Sequence, residues 1–284
     1  MAIIDARGRE LNPGPYRRVV SLVPSLTDTV CGLGAADRLV GRTLYCTEPR
    51  FQVRSVPEFG GTKNPKVERI VETRPDLVLA CVEENKKEHL EALEAAGIPV
   101  YAVMPHVLDD VDGLLGACGG LLDVADAAHR ARADLSAARA EAAAWRERLF
   151  AYRQAQGAPC PVPAATLIWK NPWLAAGAGT HINAVMEAIG LENVFADRRD
   201  YFAIELEDLA RHGLDLILMP DEPYRWSKRD AVVVAEAAGC DDAPEFCPRL
   251  DGKLLTWYGT RTAPSLRELM RLFEPLLVGS EGVA

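Results

Sequence analysis

Residues 65–80 read PKVERIVETRPDLVLA, and residues 205–220 read ELEDLARHGLDLILMP. In each segment an acidic residue opens a helix, a turn follows, and an aspartate opens an apolar run. A short aliphatic run bounded by turns predicts a strand buried on both faces, as in a parallel sheet. Setting Asp76 on Asp215 also sets Glu68 on Glu207, Ile70 on Leu209 and Leu77 on Leu216. The chain therefore reads as two related halves, each organised around the same helix–strand unit.

Strand–helix alternation extends outward from both copies. Arg18 to Val23 predicts a strand ended by Pro24, with Ser25 or Thr27 capping a helix over Leu26 to Gly34. Leu39 to Thr43, Leu77 to Cys81 and Val100 to Met104 predict further strands, and Lys86 to Ala96 a helix stopped by Gly97. Residues 123–156 are rich in Ala and Arg and contain neither Gly nor Pro. Helix propensity is high throughout, and roughly 30 helical residues would span ~45 Å. The alternation restarts after a Pro-rich break at 158–163. Strand Thr166 to Trp169, helix His181 to Gly190, a polar loop over Asp197 to Phe202 and strand Leu214 to Met219 follow in order. Lys253 to Tyr258 predicts the last strand, and Ser265 is expected to cap the closing helix. The fold class is α/β, with two lobes, each a central mostly parallel sheet flanked by helices, joined by one long backbone helix. The expected division is a lead over 1–17, a lobe over 18–118, the linking helix over 119–157 and a second lobe over 158–284.

The 284 residues are 49% hydrophobic and 26% charged, enough for two ordinary cores. The net charge of −9 argues against a nucleic-acid partner, because phosphate binding needs a basic face. Seven cysteines, an odd number with no CxxC, argue against a disulfide framework or zinc ribbon and suggest a reducing compartment. The opening MAIIDARGRELNPGPYRR has no apolar signal core or cleavage site, and no run approaches the ~20 apolar residues of a membrane span. A cytoplasmic protein that is not inserted in a membrane is the expectation. A periplasmic or extracellular one is the alternative if a leader has been removed.

Ligands of open α/β sheets sit beyond the C-terminal strand ends. Those ends hold Tyr45, Cys46, Lys63 and Glu84 in the first half. In the second half they hold Trp169, Lys170, Trp173, Tyr201, Trp226, Tyr258 and Arg261. Trp173, Trp226 and Tyr201 fall in polar stretches, which favours partial exposure and a binding role. Trp169 and Trp257 suit equally a place between sheet and helix. Aromatics with a few polar groups fit a large, flat, partly apolar ligand. The chain has no GxGxxG, Walker A, GxSxG or HExxH, so no catalytic residue is expected. Gly177 to Thr180 reads as a turn and cap more readily than as an anion site. His106 and His181 with Glu84 would be the ligands of a metal ion under an alternative reading. The leading expectation assigns no metal ligands.

This order resembles the class III, or helical-backbone, substrate-binding proteins of ABC importers, over about Arg18 to Leu277. The resemblance is carried by RVVSLVPSLTDTVCGLGAADRLVG (18–41), GGTKNPKVERIVETRPDLVLA (60–80), the long helix, INAVMEAIGLENVFAD (182–197) and LEDLARHGLDLILMP (206–220). The cobalamin-binding branch is the nearest. The resemblance implies a monomeric binding protein, not an enzyme, that needs no cofactor. It would hold a corrinoid, haem or a ferric siderophore in a cleft between its lobes for uptake. A Zn, Mn or Fe ion binder of the same fold is one alternative, and a cytoplasmic corrinoid-handling protein another. Family cobalamin contacts map onto Tyr45, Lys63, Trp169 or Trp173, Tyr201 and the loop from Tyr258 to Arg261. Lys63 stands where the cobalamin binder has an aromatic, and the aspartate of the last loop is replaced within Trp257 to Arg261. The family's two permease-docking glutamates map onto Glu68 and Glu207. The plainer reading of both is an acid placed at a helix start by the helix dipole.

Overall fold

A computed structural model describes residues 2–240 and 243–278. Its elements run, in order, β1 (Ile3–Ile4), β2 (Glu10–Leu11), β3 (Val19–Ser21), α1 (Pro24–Gly32), β4 (Leu39–Arg42), α2 (Arg50–Val53), α3 (Val67–Thr73), β5 (Leu77–Cys81), α4 (Lys87–Ala95), β6 (Val100–Val103), α5 (Leu108–Leu121) and α6 (Ala125–Ala155). There follow β7 (Val162–Trp169), β8 (Leu174–Ala176), α7 (His181–Ala188), β9 (Leu191–Asn193), β10 (Tyr201–Ala203), a 3₁₀ turn (Leu206–Arg211), β11 (Leu216–Pro220), α8 (Lys228–Ala238), α9 (Ala243–Phe246), β12 (Arg249–Leu250), α10 (Lys253–Thr256) and α11 (Thr262–Val278). The chain divides into two units. One takes the chain up to Pro105, Asp109–Leu135 and Tyr258–Arg261; the other takes His106–Leu108, Ser136–Trp257 and the chain from Thr262 onward.

The first unit is built on a four-stranded, wholly parallel sheet in the order β4-β3-β5-β6. Strand β5, LVLAC, is buried at every position, as its unbroken apolar run requires. Its core joins Val20, Leu22, Ile70, Val78, Leu90 and Leu93, so α3 and α4 pack on the face carrying Val78 and Ala80. Helix α1 begins with Pro24 in its first turn and has no side-chain cap. The expected cap Thr27 instead turns its hydroxyl to Ser21 and the Val23 carbonyl. Proline at the first helical position replaces the cap by removing one of the orphan donors.

The second unit is built on a sheet in the order β10-β8-β7-β11-β12, with β9 also pairing β7. The β7 pairs with β9 and β11 are parallel, as is β11 with β12; β8 and β10 add an antiparallel edge. Four expectations are corrected here. Lys253 to Tyr258 is not a strand: residues 253–256 form α10, and the edge strand is Arg249–Leu250. A short apolar run does not by itself distinguish strand from helix, and Gly252 is held instead by Asp221, which accepts its amide at 2.8 Å. Ser265 lies inside α11 and is buried, because the helix already starts at Thr262. The loop over Asp197 to Phe202 ends in strand β10, whose Phe202 packs edge-on against Phe195. The helix of the second repeat is a 3₁₀ turn, and its buried Leu206 and Leu209 sit three apart, one 3₁₀ turn.

The repeat itself is real at the backbone. Asp76 N–H donates to the Arg18 carbonyl and Asp215 N–H to the Pro163 carbonyl, both at 2.9 Å. Each therefore sets the register of a central strand on its parallel neighbour. The Asp76 carboxylate also accepts the amides of Arg17 and Arg18 at 2.7 and 2.8 Å. The Asp215 carboxylate is instead paired with Arg153. Arg153 closes the long helix α6, whose 31 residues span roughly 46 Å at 1.5 Å each. Along α6, Leu135, Ala138, Ala142, Trp145, Leu149 and Arg153 are buried at steps of three and four.

Replacing Asp76 by Ala should cost about 1–2 kcal/mol of stability, because two charge-assisted backbone bonds are lost. Replacing the exposed helix-face Asp208 should cost within about 0.5 kcal/mol. Urea unfolding of the two variants checks the difference, and equal effects would refute the role given to Asp76.

Candidate functional site

The first unit gathers its candidate residues on loops after β3, β4 and β5. Asn85 organises this end of the sheet. Its side-chain carbonyl accepts the Cys81 amide at 2.9 Å, and its NH₂ donates to the Thr62 carbonyl at 2.9 Å. Lys63, beside Thr62, donates to the Glu83 carbonyl at 2.6 Å. The loops after β4 and β5 are thereby tied through backbone acceptors. Tyr45 is 57% exposed, and a Cβ on Gly61 would come within 3.2 Å of its ring. Glycine at 61 thus gives that ring its seat.

The segment Tyr258–Arg261 lies in this unit, on α1. Arg261 makes a two-pronged pair with Asp28 at 3.2 and 2.7 Å. Gly259 has φ +98°, and a Cβ there would lie 1.9 Å from the Thr29 hydroxyl. Only glycine allows that approach. Tyr258 is buried, and burial first, then the charges of Cys81 and Glu84, push its phenol well above the ordinary range. Cys46 is fully buried, its sulfur 3.1 Å from the Thr43 hydroxyl, and burial pushes its thiol up. The Cys81 thiol is pushed up to about 11, again by burial and then by Glu84. Glu84 thus acts electrostatically on Cys46, Cys81 and Tyr258 alike.

The second unit assembles an aromatic group after β7 and β11. Trp169 and Tyr224 meet edge to face at 5.5 Å, Tyr224 and Trp226 lie 4.6 Å apart, and Trp226 stacks on Trp173 at 5.8 Å. Lys170 holds its ammonium 5.4 Å from the Trp173 ring centre and bonds Asp230 at 2.5 Å. Asp230 also closes the capping box of α8 with Ser227. Burial alone would raise the Asp230 carboxyl, but the bonds from Lys170 and Ser227 outweigh it and hold it low. Trp257 is buried and donates to Glu222 at 3.0 Å. Burial raises the Glu222 carboxyl. The expected exposure of Trp226 is corrected: it is 4% exposed within the core that includes Val234 and Phe246, so packing rather than loop polarity sets its place. Trp169 is 39% exposed, Trp173 and Tyr201 are half-buried, and Tyr201 sits on β10 opposite Ala176.

Several structuring residues were not foreseen: Arg42, Asp28 and Asp230. Asp230 had a readable signal, since Ser227 and Asp230 have capping-box spacing. Glu68 and Glu207 are both exposed in first turns, and neither has a side-chain hydrogen bond or ion pair among the described residues. No group of three His, Cys, Asp or Glu side chains suited to a metal ion occurs among the described residues. Of the histidines in the alternative metal reading, His106 bonds the Gly179 carbonyl and His181 is buried in α7. A cavity of about 520 Å³ beside Ile3, Tyr101 and Leu114 in the first unit contains none of the expected contacts.

Comparison with known proteins bears on what these groups serve. A family model described as "Periplasmic binding protein" matches residues 19–234. The vitamin B12-binding protein of Yersinia pestis (strain Pestoides F) is 27% identical over 182 residues, which cover 64% of this chain and 61% of that protein. A periplasmic haem-binding protein from Pseudomonas aeruginosa shares the fold with TM-score 0.75 at 23% identity, covering 92% of this chain and 93% of that one. The periplasmic vitamin B12-binding protein BtuF of Vibrio cholerae does so with TM-score 0.72 at 20% identity, covering 92% and 98%. The cytoplasmic expectation is overturned by the family match, which points to the periplasm. The cytoplasmic corrinoid-handling alternative falls with it.

His181 supplies a pH test. Burial lowers its imidazole to about 4, below the ordinary value of 6.5. The unfolded chain therefore binds a proton between pH 6.5 and 4 that the folded chain refuses, so stability falls as pH falls through that window. At pH 5 the loss relative to pH 7 should be about 2 kcal/mol from this residue. Urea midpoints at the two pH values, compared between the wild type and His181→Asn, should show a smaller drop in the variant.

Proposed function

Because the chain belongs to the periplasmic binding protein family, we propose that it captures a corrinoid or an iron chelate such as haem or a ferric siderophore and presents it to an ABC permease. It works as a binding protein without turnover. The observation that carries this reading is the connected aromatic group of Trp169, Tyr224, Trp226 and Trp173, with the Lys170 ammonium over one face. Stacked rings of this kind offer a broad apolar surface at little entropic cost. A fixed cation beside them suits the amide, carboxylate or phosphate groups at a macrocycle's rim. The names of the vitamin B12-binding and haem-binding relatives agree with that ligand class.

Among the candidate residues, those with exposed surface are the proposed contacts: Tyr45, Lys63 and Glu84 in the first unit, and Trp169, Lys170, Trp173 and Tyr201 in the second. The buried Cys46, Trp226 and Tyr258 shape the surface from beneath. Arg261, held by Asp28, is a contact only through what that pair leaves exposed. Glu68 and Glu207, exposed and charged, are the proposed points of permease docking.

Titration with cyanocobalamin, haemin and a ferric hydroxamate should quench tryptophan fluorescence for at least one ligand. Trp169→Ala should weaken that ligand about tenfold, the effect of losing one aromatic anchor. Flat curves for all three, with the protein folded, would refute the reading. The double variant Glu68→Gln/Glu207→Gln should keep the wild-type ligand affinity within about twofold, since neither residue is a contact, and should lose permease-dependent uptake.

A further inference from the structure

The loop after β4 leaves the sheet at Arg42 and returns at Pro57. The two ends are zipped together: Arg42 N–H donates to Pro57 O at 3.0 Å, Phe59 N–H to Arg42 O at 2.8 Å and Leu44 N–H to Gly60 O at 2.9 Å. The Arg42 side chain turns inward and fills the loop. Its Nε donates to the Val53 carbonyl at 2.9 Å, and one terminal nitrogen donates to the carbonyls of Thr43 and Cys46 at 3.2 and 3.1 Å. The other terminal nitrogen pairs with Glu58 at 2.9 Å. The residue is 6% exposed, yet its bonds run to both limbs and the turn of the loop. On the outside, the same loop carries Leu44, Tyr45 and Phe51, which are 44%, 57% and 82% exposed. A charged group thus lies inside the loop beside the buried Cys46, Val53 and Val56, while three large apolar groups stand on its surface.

The buried guanidinium has a physical reason. A stretch of this length without its own sheet pairing leaves backbone carbonyls that need donors. A guanidinium offers five N–H groups in a fixed fork, so one side chain satisfies carbonyls on both limbs at once. The bond Arg42 Nη1 to Cys46 O fixes the carbonyl next to Tyr45 directly. Ordering a loop before a ligand arrives removes an entropic cost that binding would otherwise bear.

We propose that Arg42 is a positioning residue for ligand binding: it holds the loop over residues 43–56 rigid, so that Tyr45 is presented in its binding place without Arg42 touching the ligand. This rests on the ligand reading above, in which Tyr45 is a contact. Lysine does not substitute, because one ammonium cannot span the separated carbonyls.

Two measurements on the full chain test it. In ligand titration, using whichever of cyanocobalamin, haemin or the ferric hydroxamate the wild type binds, Arg42→Gln and Tyr45→Ala should each weaken binding about tenfold, with the double variant no more than about twofold worse than the weaker single. Arg42→Lys should resemble Arg42→Gln. Effects that multiply in the double variant, or wild-type binding by Arg42→Gln, overturn the proposal. In limited trypsinolysis read by mass spectrometry, cleavage after Arg50 and Arg54 should accelerate about tenfold in Arg42→Gln while cleavage elsewhere is unchanged. General acceleration would mean a global destabilisation and overturn the local role. Glu58→Ala removes one of the four partners and serves if Arg42→Gln does not fold; it should shift both readouts in the same direction by about two- to threefold. If the wild type binds none of the three ligands, the ligand reading fails and takes the role of Tyr45 with it. The trypsin result then decides separately whether Arg42 holds the loop.

Discussion

The residue that leads into each central parallel strand is an aspartate, and in both units its amide bonds the chain beside it. Asp76 and Asp215 each donate their amide to the neighbouring strand and use their carboxylate to hold what enters beside it. The remaining register follows. Val19 pairs with Leu77 and Ala164 with Leu216, and every loop beyond the strands' far ends takes its position from that start. In the second unit the carboxylate also anchors Arg153, so the long helix α6 ends in a fixed relation to the strand β11.

The two units meet the same task at their strand ends by different chemistry. The first uses polar clamps on backbone carbonyls: Arg42 within its loop, Lys63 on Glu83, and Asn85 on Thr62 and Cys81. Each clamp is a side chain spent on satisfying backbone, which leaves exposed groups such as Tyr45 on a firm base. The second unit uses ring on ring. Trp226 is buried so that Trp173 can lie against it, and the Lys170–Asp230 pair ties the cation to the first turn of α8. Buried members of both sets are therefore structural parts of a surface they do not themselves form.

The cysteines belong to packing. All seven are free, five are buried, and burial raises the thiols of Cys31, Cys46, Cys81, Cys118 and Cys247. A buried neutral thiol is a poor nucleophile and behaves as a small apolar group. Their number is accounted for by packing and therefore gives no measure of compartment.

What the chain alone determined was whatever depends on local periodicity and backbone chemistry. The apolar runs at Leu77 and Leu216, the proline and glycine stops, and the uninterrupted helix over Ala125–Ala155 all follow from single-residue preferences summed over short windows, and all are present. The equivalence of Asp76 and Asp215 was legible because a strand start needs the same backbone bond wherever it occurs. Tertiary structure alone decided what depends on distant partners. The run from Lys253 became a helix because Asp221, 31 residues earlier, holds Gly252. Trp226 went inward because Phe246 and Val234 were there to cover it. Arg42 looked like any strand-end arginine, and only the closed loop shows that its guanidinium is held by three carbonyls and the Glu58 carboxylate. Periodicity reports which face of an element is apolar; it does not report which other element will meet that face.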